Sequence, residues 1–236
     1  MGKSIAILQS NFLPWRGYFE LINSVDEFIL FDTVQFTKRD WRNRNLIKTQ
    51  NGAKWITVPV DTKNGSRIPI NEILVDQENW RIPLWARIEN AYRCAPFYAD
   101  IEELTRKIIF DTRIERLSDL NKTLLEKICK YLDITTPIID APKIDAPQNK
   151  NSHLIDICKK REATEYLSGP SASVYINNQE FEKAGIELNW HMYSNHVEYK
   201  QPWGSFIENL SIIDILMNNG PESRNVMGLS NLGSRS

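Results

Sequence analysis

The stretch SIAILQSNFLPWRGYFELINSVDEFILFD, Ser4 to Asp32, decides the fold. It opens on an apolar run, Ser4–Gln9, with the composition of a buried strand. Gly17–Ser24 reads as a short helix. Glu27–Asp32 reads as a second apolar strand that ends in a carboxylate. Strand, loop, helix and strand within about thirty residues is the βαβ signature of a parallel sheet. The connecting loop is unusual in content. It holds Pro14, Trp15, Gly17 and the side-chain amides of Gln9 and Asn11.

Further along, Lys54–Val60 reads as a strand with Pro59 near its end, and Asn71–Val75 as another. Helices are expected at Trp80–Arg93, Pro96–Ile109 and Arg113–Leu132. In the last, Ile114, Leu117, Leu120, Leu124, Ile128 and Leu132 share one helical face. Thr136–Ile139 then reads as a buried strand and Lys143–Lys150 as a loop. Ser152–Glu162 reads as a helix capped by Ser152. Thr164–Leu167 is a short strand leading into a Ser168-Gly-Pro-Ser171 turn. A helix at Asn178–Ala184, closed by Gly185, precedes an alternating strand, Ile186–Tyr193. Ser211–Asn219 is the last helix, ended by Gly220-Pro221, and the polar end from Gly220 reads as frayed. The expectation is an α/β fold, a mostly parallel sheet with flanking helices. Residues 1–140 would form the core with its helical segment, and 141–220 its C-terminal part or a small subdomain. Residues 221–236 would be a flexible tail.

Composition narrows the function. A net charge of −1 over 236 residues gives no global attraction to bulk nucleic acid or an anionic membrane. No apolar run approaches the roughly 20 residues that span a bilayer. The start is too short for a signal segment, so a cytoplasmic protein is expected. The three cysteines, Cys94, Cys129 and Cys158, are widely spaced and read as buried free thiols. Seven Trp, eight Tyr and nine Phe are a rich aromatic supply, several beside Asn, Gln, Gly or Pro.

Four stretches could carry chemistry. In an open parallel sheet, ligands sit beyond the carboxyl ends of the strands. The Gln9–Gly17 loop and Asp32 both lie there. Gly17 would admit a ligand to the helix start, where the N–H groups suit a phosphate. Gln9 and Asn11 offer donors and acceptors, and Trp15 and Tyr18 offer stacking faces. The alternative is a rigid connector whose aromatics pack inward. The second stretch, Thr37–Lys48, holds five basic residues against one acid, interleaved with Trp41, Asn43 and Asn45. Arginine forks bind phosphate oxygens, so a phosphate or diphosphate site competes here with a plain solvated loop. The third is Tyr166-Leu-Ser-Gly-Pro-Ser171 with Tyr175 beyond; Ser168, Gly169 and Ser171 could present an N–H nest or form an ordinary turn. The fourth is Tyr199-Lys-Gln-Pro-Trp203, a substrate wall or merely an edge.

Other signatures are missing. His191 and His196 lack a third ligand at zinc spacing, and His153 stands alone. There is no nucleophile elbow, no Walker loop and no Gly-x-Gly-x-x-Gly. Asp32 is the better placed of Asp26 and Asp32 for a general base.

From Ile5 to about Gly220 the chain resembles the WbqC-like family. The family's opening Gln-Pro-x-Tyr-Leu-Pro-Trp-x-Gly-Tyr-Phe appears as Gln9 to Phe19, with Ser10 and Phe12 in place of the usual Pro and Tyr. Asp32-Thr-Val-Gln-Phe36, Trp41 to Asn45, Trp55 to Pro59, Ala91-Tyr92, Tyr166 to Gly169 and Ser211 to Gly220 match in order. The resemblance implies a surface-polysaccharide (O-antigen) setting and a sugar nucleotide as substrate. The layout is also loosely similar to the nucleotidylyltransferase superfamily, a Rossmann-like fold. Pro14 to Tyr18 stands where that group has its His-x-Gly-His, with neither His present.

The reading that follows is an acyl- or aminoacyltransferase acting on the amino group of a sugar nucleotide. Trp15 and Trp41 would stack on sugar or base. Lys38, Arg42, Arg44 and Lys48 would hold the diphosphate. Gln9, Asn11 and Gln35 would orient hydroxyls, and Asp32 would take the amine proton. No metal is demanded; ATP or an activated acyl donor, an adenylate, thioester or aminoacyl-tRNA, would be the co-substrate. An ATP-dependent nucleotidylyltransferase or adenylate-forming ligase, and a non-catalytic sugar-nucleotide binder, are the alternatives.

Overall fold

A computed structural model describes residues 2–61, 68–76, 79–144, 149–193 and 196–229. Strand β1 (Ser4–Leu8) runs into helix α1 (Arg16–Asn23) and then strand β2 (Glu27–Leu30). β1 and β2 pair in parallel, with Ala6 opposite Phe28 and Leu8 opposite Leu30. The opening βαβ unit is therefore as the apolar runs predict. Strands β5 (Ile138–Asp140), β6 (Glu165–Ser168) and β7 (Glu187–Trp190) complete one five-stranded sheet in the order β5-β2-β1-β6-β7. Every pairing in it is parallel.

The strands are apolar at successive positions because both faces are covered. Ala6, Phe28 and Leu30 face a large core built with α1, α2 (Arg81–Tyr92), α4 (Leu117–Tyr131) and α7 (Ile212–Asn219). Ile5, Ile7 and Ile29 face a smaller core with α5 (Lys150–Lys160) and α6 (Asn178–Lys183). Between α2 and α4 comes α3 (Tyr98–Ile109), and the last helical turn is α8 (Ser223–Val226). No helix among the described residues is long and apolar enough to cross a membrane.

Several local expectations need correction. The basic segment from Arg44 to Thr49 is a strand, β3, in an antiparallel hairpin with β4 (Gly52–Thr57). Gln50 and Asn51 form the two-residue connection, and Gly52 adopts φ 79°, the left-handed region that glycine tolerates. Asn71–Val75 is not a strand: Ile70–Glu72 is a 3-10 turn, and Leu74 and Val75 make isolated bridges only. The cap of α5 is Asn149, which accepts the Ser152 N–H at 2.8 Å; Ser152 returns a bond to the Asn149 N–H. Within the described residues the polar end folds as a 3-10 turn, Gly220–Glu222, and then α8, with Ser223 and Met227 buried. Positions 230–236, and 145–148 of the expected loop, lie outside the described residues. Cys129 and Cys158 are buried and Cys94 is exposed, so one of the three thiols faces water.

Candidate functional site

The strand order makes a topological switch between β1 and β6. The chain leaves β1 toward one side, through α1 to β2, and later re-enters at β6 on the other. Connections diverge at such a point, and in open parallel sheets this carboxyl edge is where ligands bind. Two loops border it, Gln9–Trp15 after β1 and Gly169–Tyr175 after β6.

The first loop is held by side chains from distant elements. Leu13 sits at φ 44°, a left-handed conformation that costs a branched residue energy. Its carbonyl accepts Asn45 Nδ2 at 2.7 Å and Ser211 Oγ at 2.8 Å. The Phe12 N–H donates to the Trp41 carbonyl at 3.0 Å. The Arg42 guanidinium donates to the Gln9 carbonyl at 3.4 Å and to Asn11 Oδ1, and pairs with Asp40 at 3.6 Å. The amide loop and the arginine segment therefore meet.

Beneath them lies Asp32, 5% exposed. Its Oδ1 accepts the Ser10 N–H at 2.8 Å, and its Oδ2 is buried with no hydrogen-bond partner among the described residues. Burial raises its carboxyl above the ordinary value; bonds from Ser10 and the charge of Arg42 oppose that without cancelling it. Asn121 Nδ2 braces the same turn through Ser10 Oγ at 3.1 Å and the Arg42 carbonyl at 2.9 Å.

The second border forms around Trp15, the residue before α1. A Cβ on Gly17 would lie 2.4 Å from Trp15 Cη2 and Cζ2. Gly17 is thus explained by the indole folded over it. The expected open phosphate position at this helix start is filled by Trp15 itself. Beyond the indole stand Tyr193, at 5.0 Å between ring centroids, and His196, at 5.6 Å. His191 packs on Tyr193 at 4.7 Å, and its N–H donates to the Ser168 carbonyl at 2.8 Å. The Tyr193 hydroxyl would lie 3.3 Å from a Cβ on Gly169, so this ring spans from the β1 loop to the β6 loop. Buried Glu20 of α1 contacts His196 Nε2. Burial lowers His191 and raises Tyr193 from their ordinary values, and in both Glu20 pushes upward.

Sequence reading missed Glu20, His191, Tyr193 and His196 as site residues, having weighed the two histidines only as zinc ligands. Their available signal was position: His191 directly follows the β7 strand residue Trp190, at the carboxyl edge. Among the described residues no set of three or more His, Cys, Asp and Glu gathers for a metal.

Other candidates are dispersed. Tyr18 offers no stacking face: its ring is 2% exposed and its hydroxyl donates to the Gln9 carbonyl at 2.9 Å. Tyr166 is likewise buried, stacked on Phe181 at 5.3 Å. Asn43 and Asn45 are buried, with Asn43 Nδ2 held by the Val58 carbonyl at 2.8 Å. Lys48 is 1% exposed, and its ammonium donates to Gln201 Oε1 at 3.0 Å and to the Ser205 carbonyl. It lies in the protein interior, so the four cations do not form one diphosphate clamp. Arg44 lies over Trp55 at 4.1 Å, and Trp55 is 5.2 Å from Trp41. Lys38, Gln35 and Ser171 are exposed, and Ser168 is buried. Tyr175 is 50% exposed, with Lys150 over its ring at 5.3 Å.

The fold and this edge define the class: an α/β protein with a Rossmann-like parallel sheet whose carboxyl edge carries polar and aromatic side chains at the switch point. Within that class, the chain belongs to the WbqC-like protein family, whose profile matches residues 9–226. It is 43% identical over 221 residues to the uncharacterized protein Rv1507c of Mycobacterium tuberculosis, covering 94% of this chain and 96% of that protein. No solved structure matches the chain.

Proposed function

We propose that the protein transfers an acyl or aminoacyl group to the amino group of a sugar nucleotide, in the surface-polysaccharide setting that the family resemblance implies. The observation that carries this reading is Asp32: a buried carboxylate at the carboxyl edge of the sheet, shifted upward, with one oxygen unpartnered among the described residues. Amide formation from an activated acyl group needs alignment and a place for the amine's proton. A carboxylate whose basicity burial has raised accepts that proton more readily than an ordinary exposed one. Arg42, Gln9 and Asn11 would orient the acceptor above it, with Trp15 and Tyr193 along the sugar.

The test is a thermal-shift screen of amino-sugar nucleotides. A ligand at about 100 times its dissociation constant stabilises by roughly 2.7 kcal/mol. Hits are then incubated with ATP plus glycine, acyl thioesters or charged tRNA, and weighed for an acyl mass gain. No stabilisation by any amino-sugar nucleotide sinks the reading. Pyrophosphate release from ATP and the sugar phosphate alone would point instead to nucleotidyl transfer.

A further inference from the structure

The β3–β4 hairpin and the second half of α2 enclose a separate cleft of about 800 Å³. Arg87, Asn90, Ala91 and Cys94 line it from α2 and the residues just after; their spacing puts them on one helical face. Lys54 and Ile47 are register partners on the hairpin and line it from the other side. Trp55 and Trp203 complete the walls, 38% and 40% exposed.

The charge of this cleft is one-sided. Lys54, Arg87 and Arg93 line it, and among the described residues no carboxylate does. Among the described residues none of the three cations forms an ion pair. The carbonyls ending α2 would by themselves repel an anion. The Trp203 indole N–H donates to the Ala91 carbonyl at 3.0 Å, which answers one of them and fixes the ring at the cleft. Trp203 and Gly204 both adopt left-handed backbone, φ 63° and 66°, so the turn is shaped to present the indole there.

We infer that this cleft binds a nucleotide, its base against an indole and its phosphates among Lys54, Arg87 and Arg93. Two indoles with three cations that form no ion pair among the described residues match a planar ring joined to an anion better than either part alone. Trp55 connects the cleft to the sheet edge through Trp41, whose carbonyl holds the Phe12 N–H at 3.0 Å. In the proposed transferase this is where the activated donor's nucleotide sits; that role rests on the sheet-edge reading, whereas nucleotide occupancy does not.

Cys94 supplies the test, because it is the one exposed thiol of the three. Its alkylation by iodoacetamide is followed in the full-length protein with ADP, UDP, pyrophosphate or adenosine. Saturating ADP or UDP slows alkylation about tenfold or more. Arg87→Ala and Arg93→Ala, both exposed positions, each raise the half-protecting concentration about tenfold, as loss of a charge-assisted hydrogen bond implies. Arg42→Ala leaves protection unchanged. Unaltered alkylation at millimolar ADP and UDP overturns the site. Equal protection by pyrophosphate alone, or by adenosine alone, overturns its assignment to a nucleotide. Failure here leaves the sugar-nucleotide screen untouched, and failure of that screen leaves Cys94 protection untouched.

Discussion

The Ser10 backbone N–H donates to Asp32 Oδ1 at 2.8 Å, joining the loop that leaves β1 to the end of β2. The other Asp32 oxygen lies buried and unpartnered among the described residues. A carboxylate so placed is costly when ionised, since each buried oxygen lacking a donor forfeits hydration without replacement. The strand ends fix its position, and the Ser10 turn fixes its orientation.

Asp32→Asn should therefore separate chemistry from stability. If Asp32 takes the amine proton, turnover falls by about 10² to 10⁴ while sugar-nucleotide binding persists. The carboxyl is raised from its ordinary 3.8, so the folded chain holds this proton more tightly than the unfolded chain. Its stabilising contribution is complete below the unfolded value and is lost as pH rises through the folded one. The amide variant lacks that loss, so it gains stability relative to the parent as pH rises above the ordinary carboxyl value of 3.8. Urea midpoints across that rise check it, and parallel curves for the two proteins would refute it.

Gly17→Ala tests the folded-over indole. The new methyl would meet Trp15 ring atoms at 2.4 Å, so the ring must leave its contact with Tyr193. The expected cost is about 1–3 kcal/mol, the range for overpacking. With Trp15→Leu already present, the same substitution should cost little or stabilise, because Ala is favoured over Gly in a helix by about 1 kcal/mol. A double-mutant cycle measured in urea reads the difference; equal costs in both backgrounds would mean the indole is not the obstacle.

How much of this was legible depended on whether local pattern and burial agreed. In Ser4–Asp32 they agree, because a parallel strand covered on both faces is apolar throughout, and the opening unit could be read directly. In Arg44–Thr49 they disagree. Asn45, Ile47 and Lys48 are all buried, so period-2 alternation fails where Lys48 turns inward to Gln201 and Ser205, 153 and 157 residues away in sequence. The basic segment therefore read as a loop or a phosphate clamp. For the site, Asp32 and the Gln9 loop were visible from strand ends alone. Tyr193 and His196 were not, since only the closing of β7 beside β6 brings them onto Trp15.

Lys48→Met should behave as a stability lesion. It takes the ammonium donor from the Ser205 carbonyl and from Gln201 Oε1, which keeps the Ile207 N–H at 2.9 Å, at about 1–3 kcal/mol. Sugar-nucleotide affinity of the folded variant should stay within a factor of about two to three of the parent, because this ammonium does not reach the sheet edge. Arg42→Ala should do the reverse, weakening the ligand more than the fold. Urea midpoints and thermal shifts measured on both proteins distinguish the two, and a large affinity loss in Lys48→Met would restore it to the ligand site.

The interior around Lys48 turns on Asp214, and its two tyrosine donors are unequal. Tyr92 donates to Asp214 Oδ2 at 2.7 Å and its hydroxyl also accepts the Lys48 N–H at 2.9 Å. Tyr199 donates to Asp214 Oδ1 at 2.7 Å, an oxygen that Gln201 Nε2 also serves at 2.8 Å. Tyr92→Phe thus strands a buried amide and one carboxylate oxygen, while Tyr199→Phe leaves its oxygen with a second donor. The first should cost about 2–4 kcal/mol and the second about 1 kcal/mol. Both hydroxyls also hold the Asp214 carboxyl down against the upward push of burial. Removing either raises it further, so each variant should lose more stability at neutral pH than near pH 4. Chemical denaturation of the two variants at both pH values tests the ordering; equal costs would mean that the Lys48 amide finds another acceptor.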